Sequence, residues 1–129
     1  MENHQNEAQR MQEVVALGYV ALRTTLEALP EPMTLPNPDK PGRALRAAFE
    51  ASQRVIDQPL DDKTAFCLHN SLLLWVAAWT RTQDFGITAS DIDHAVATAL
   101  MHLSSLYNEE AANALPARRS PRWRRKRGQ

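Results

Sequence analysis

The chain has very little from which to build a covalent or metal-held framework. Cys67 is its single cysteine, so no internal disulfide can close and no thiolate metal site can be assembled from it alone. Glycine is scarce, at 4 residues, and nothing resembles a Gly-rich phosphate loop or a nucleotide fingerprint. Long apolar runs are also missing. The longest, from Leu72 to Trp79, is far short of the roughly 20 residues that cross a bilayer. The start, Met1 to Glu7, has neither a basic stretch nor an apolar centre and does not read as a secretory signal. A cytoplasmic protein with no membrane partner is expected. No strand-like alternation and no internal repeat are visible.

Against those absences stand 129 residues, 43% of them apolar, enough for one domain with a core. The formal net charge of zero hides a division. Residues 1–117 hold 8 Lys or Arg against 15 Asp or Glu, a net of −7, whereas residues 118–129 hold 7 basic residues and no acid. The domain reading is a helical body over 1–116 and a disordered basic tail over 117–129.

Periodicity divides the body into four helices. Over residues 5–29, Met11, Val14, Val15, Gly18, Leu22, Thr25, Leu26 and Leu29 share one stripe. Pro30, Pro32, Pro36, Pro38 and Pro41 then impose a loop, each removing a backbone donor and pushing its predecessor from helical geometry. A second helix, opened by Pro41 and Gly42 and running to about Gln58, turns Leu45, Ala48, Phe49, Ser52, Val55 and Ile56 inward, with Arg43, Arg46, Glu50, Gln53, Arg54 and Asp57 outward. After Pro59 the third, to about Gln83, is apolar nearly all round, with Ala65, Phe66, Leu68, Leu72, Leu73, Trp75, Val76 and Trp79. It is therefore the central helix. Gly86 ends it, and the fourth places Ile92, Ala95, Val96, Ala99, Leu100, Leu103, Leu106 and Tyr107 inward before fading at Leu115 and Pro116. The fold class is all-α, a small four-helix bundle with a Pro-rich loop between its first two helices.

The strongest functional signal is the tail. Arg118, Arg119, Arg122, Trp123, Arg124, Arg125, Lys126 and Arg127 form the candidate nucleic-acid-binding set. Arginine's planar fork grips phosphate with paired hydrogen bonds, and Trp123 offers a face on which a base can stack. A solvated tail, or one folded back on the acidic body, is the plainer alternative. Phe85-Gly86-Ile87-Thr88 has the punctuation of a helix-turn-helix, but Asp91 and Asp93 at the start of the following helix would repel phosphates. An ordinary helical corner is the better reading.

Other residues give weaker signals. His94 and His102, eight residues apart, point about 80° from one another on a helix and lack the spacing of a chelating pair. His69 reads as a hydrogen-bonded core histidine, with Asn70 as its partner. Asp57, Asp61 and Asp62 cluster at a joint where helix-start charge explains the last two. Cys67, on an apolar helix, reads as an inert thiol, and Trp75 with Trp79 as core. Leu17 and Val20 on the first helix, and Met101 with Ala97 behind the fourth, are spare apolar surface that suggests self-association or a partner.

The functional expectation is a small non-enzymatic accessory or regulatory protein. It would bind nucleic acid without sequence preference through the tail, with no cofactor or metal, while the acidic body mediates self-association or protein contact. The alternative is an inhibitor or adaptor whose acidic body covers a basic partner surface.

Overall fold

The computed structural model describes residues 2–37, 41–82 and 91–115. Within them lie four helices, α1 (Glu2–Glu27), α2 (Pro41–Arg54), α3 (Asp62–Thr82) and α4 (Asp91–Asn113), with a single 3₁₀ turn, Val55–Asp57, closing α2. The small all-α bundle is the fold that the spacing of apolar residues predicts. α3 packs against each of the other three helices, most extensively against α4. Leu68, Leu72, Trp75 and Ala78 along it are buried, as the near-continuous apolar pattern of this helix requires.

α1 contributes Val15, Tyr19, Leu22, Leu26 and Leu29 to the same core. Its contact with α3 is fixed by the Trp75 indole, whose Nε1–H donates to the Val15 carbonyl at 2.8 Å. Tyr19 lies against that indole, with ring centroids 5.0 Å apart. Gly18 is where the close approach is made. A Cβ there would sit 2.5 Å from the Met101 methyl and 3.4 Å from Trp75 Cδ1.

Residues 28–37 carry no helix. They turn back along α1, so that the Tyr19 hydroxyl donates to the Pro36 carbonyl at 2.7 Å and Leu35 is buried. Gln58, just past the 3₁₀ turn, holds the segment like a backbone partner. Its Oε1 accepts from the Glu31 N–H at 3.1 Å and its Nε2 donates to the Glu31 carbonyl at 2.7 Å. A chain poor in backbone donors is thus held from outside.

Two helices depart from the buried face that the sequence pattern predicts, α2 in part, since Ala48, Ser52 and Val55 are buried as expected, and α4 more fully. In α2 the buried row is Ala44, Ala48, Ala51 and Ser52, with Val55 just beyond. Phe49 and Ile56, expected inward, are exposed. In α4 the difference is larger. Ala97, Met101, Ser104 and Ala111 face the core, whereas Ile92, Leu103 and Leu106 are exposed and Leu100 and Tyr107 lie half-buried at the edge.

The reason is the contact with α3. Ser71 Oγ donates to the Ser104 carbonyl at 2.6 Å, and Ser104 Oγ donates to the Ser71 carbonyl at 2.8 Å, both buried. Side chains this small let the helices approach until each hydroxyl reaches the other backbone, and the small residues Ala78 of α3 and Ala97 and Ala111 of α4 are buried as well. Leucines on that face would hold the helices apart. The pairing is antiparallel, since Lys63 meets Glu110 at 3.5 Å and Phe66 meets the Tyr107 ring edge-on at 6.1 Å, below the serine pair. Phe66, expected in the core, is accordingly exposed on its outer side, and Val76 is half-buried.

Candidate functional site

The inverted face of α4 creates a solvent-facing apolar row. Ile92 is 72% exposed, Leu106 49% and Leu103 44%, with Ala95 and Ala99 exposed between them. α1 adds Leu17, 69% exposed, with Val14 and Val20. Leu17 and Val20 are where the sequence places spare apolar surface, whereas Val14, expected on the buried stripe of α1, is exposed beside them. On α4 the assignment is reversed: Met101 and Ala97 are core, and the residues expected to be core form the surface.

Between α1 and α4 lies an open cleft of about 620 Å³. α1 supplies Arg10, Met11 and Val14, and α4 supplies His94, Thr98, Met101, His102 and Ser105. The polar residues of α4 recur at three- and four-residue intervals and so form one ridge along its flank. His94 and His102 therefore come together in one wall, although their 80° divergence prevents chelation. Sequence reasoning missed this site because three of its eight lining residues come from α1 and five from α4. The only signal on α4 is the polar row His94, Thr98, His102, Ser105.

The other candidates resolve into structural roles. His69 donates from Nδ1 to the Ser52 carbonyl at 2.6 Å, tying α3 to α2. Asn70, its expected partner, instead donates to the Phe66 carbonyl at 2.8 Å. Asp61 caps α3, its carboxylate accepting from the Thr64 N–H at 2.8 Å while its carbonyl accepts from the Ala65 N–H at 3.0 Å. The hydrogen bonds from the Thr64 side chain and backbone hold its carboxyl below the usual carboxylate range. Asp57 and Asp62 are exposed.

Cys67 is buried, and desolvation, with a smaller contribution from Glu110, pushes its thiol up, away from the reactive thiolate. Trp75 and Trp79 stack at 5.7 Å, the first buried and the second half-buried. Among the described residues no three His, Cys, Asp or Glu side chains are grouped to hold a metal ion, and no helix is long and apolar enough to cross a membrane.

The tail residues Arg118, Arg119, Arg122, Trp123, Arg124, Arg125, Lys126 and Arg127, and the corner around Gly86, lie outside the described residues. The helices flanking that corner are described. They still touch at Lys63 and Glu110, about 20 residues or roughly 30 Å of helix from the connection, so they run side by side. A helix-turn-helix pair crosses near 90–120° and would have separated long before that point. No protein-family model matches this chain, and comparison with curated proteins and with solved structures finds no match.

Proposed function

We propose that this is a small cytoplasmic accessory or regulatory protein, without catalytic activity of its own, that joins nucleic acid to a protein contact. The segment from Arg118 to Arg127, with Trp123 among its cations, binds phosphate backbones without sequence preference. The helical body carries the protein contact on the apolar row of α4, with a second copy or another chain as its partner. One observation carries the reading: a body of net −7 with a solvent-facing apolar row is followed at once by seven cations in ten residues. The body repels phosphate and the tail attracts it, so the two parts suit different partners.

A second reading, an adaptor or inhibitor whose acidic body covers a basic partner surface, is favoured by the exposure of Asp61, Asp62, Glu109 and Glu110. Gel-shift measurements at low salt, with the full chain beside a version ending at Pro116, test the choice. The first reading expects binding by the full chain and none by the shortened one. A chain that binds no nucleic acid, yet retains a stoichiometric protein partner at high salt, would establish the second.

A further inference from the structure

We propose that the cleft between α1 and α4 is a binding site for a small amphipathic anion, an acidic head group carried on an apolar chain or ring. This goes beyond the tail and the apolar row. The volume of about 620 Å³ lies within the range of small-molecule sites, which are mostly apolar with a few convergent polar groups.

The lining joins three apolar residues to five polar ones. Met101, Met11 and Val14 make an apolar floor and inner wall, with Met101 buried and the other two partly exposed. Methionine side chains adapt to ligands of differing shape, so this floor suits a flexible chain or a ring. The polar groups share one property, that each can donate a hydrogen bond and none carries negative charge. The Arg10 guanidinium, the imidazoles of His94 and His102 and the hydroxyls of Thr98 and Ser105 can all donate hydrogen bonds, and the lining includes no Asp or Glu. In a body of net −7 this is a local inversion of charge. An anionic head finds a fork-shaped cationic donor at the rim, and its apolar part leaves water for the floor. A cationic ligand would meet the Arg10 charge with no carboxylate in the lining to offset it, and a purely polar ligand would leave the apolar floor unused.

Gly18 permits the same geometry. A side chain there would displace the Met101 methyl, and Met101 is shared between the α1 contact and the cleft floor.

The test uses the full chain with ¹³C-methyl-labelled methionine, titrated with octanoate and followed by NMR. Met11 and Met101 lie in the cleft, whereas Met33, within the non-helical segment 28–37, packs against the core away from the cleft lining and serves as an internal control. The methyls of Met11 and Met101 are expected to shift along one saturating curve while Met33 stays fixed. Arg10→Gln, at an exposed position where folding is undisturbed, is expected to weaken binding about tenfold, and His102→Gln should act in the same direction. Neutral 1-octanol should bind at least about tenfold more weakly than octanoate.

Several results would overturn the proposal. Absence of saturable shifts, or equal movement of Met33, would show that the cleft is no site. Equal binding of octanol and octanoate, or an Arg10→Gln variant that binds as the parent does, would show an apolar hollow without anion recognition. Inorganic phosphate saturating the same methyls as well as octanoate does would show that the apolar part is irrelevant.

Discussion

Asp61 and Cys67 stand two turns apart at the start of α3, and their environments push them in opposite directions. The Asp61 carboxylate accepts hydrogen bonds from Thr64, which favour its charged form and lower its protonation range in the folded chain. A carboxyl lowered by folding contributes stability that is complete above its unfolded value, near 3.9, and is lost as pH falls through the lower folded value. The melting temperature of the parent chain should therefore decline more steeply below about pH 4 than that of Asp61→Asn, whose cap cannot titrate. Parallel curves for the two chains would show that the cap is not formed in solution. Cys67 lies on the opposite side of this balance, since burial keeps its thiol protonated. A thiol reagent should modify the native chain at least about tenfold more slowly than the denatured chain, because access requires opening of the bundle. Equal rates would place the sulfur at the surface.

At the scale of the element, the rotation of α4 separates residues that hydropathy treats alike. Leu72→Ala removes a fully buried side chain of α3 and should cost about 2–5 kcal/mol. Leu103→Ala, on the solvent-facing row of α4, should change stability by no more than about 0.5 kcal/mol, measured in a two-state denaturant melt. If the two costs were equal, α4 would bury the face its leucines suggest. The serine pair offers a second test by double-mutant cycle. Ser71→Ala and Ser104→Ala each lose a buried hydrogen bond, at about 1–3 kcal/mol, and the double variant should cost less than their sum.

These helices also show what was legible beforehand. The existence and order of all four follow from spacing, and the centrality of α3 follows from its apolar circumference. The burial of Val15, Leu22 and Leu26 follows from the 3.6-residue period of α1. The α2 face follows only in part, through Ala48, Ser52 and Val55, and the α4 face does not follow, because periodicity weighs large apolar residues above small ones. Ala44, Ala51, Ala97 and Ser104 are buried for being small, a property that acts only once a particular partner helix is alongside. For the same reason the cleft could not be read. Arg10 and His102 are distant in sequence, and only the packing of α1 on α4 brings them to one site.

For the molecule as a whole, the proposal rests on a division of charge that cancels in the total but not in space. The body's net of −7 opposes approach to a polyanion, so the energy of binding must come from the seven cations after residue 117. If that is so, affinity must depend on salt in a way the cation count dictates. The apolar row of α4, whether it meets a second copy or another protein, would be nearly indifferent to salt, since burial of Ile92, Leu103 and Leu106 releases no counterions. The most direct test is the slope of log affinity against log salt for the full chain on duplex DNA. Engagement of all seven cations predicts a slope approaching about −6, with complete loss of binding on truncation at Pro116. A salt-insensitive affinity that survives truncation would contradict the account and move the contact to the helical body.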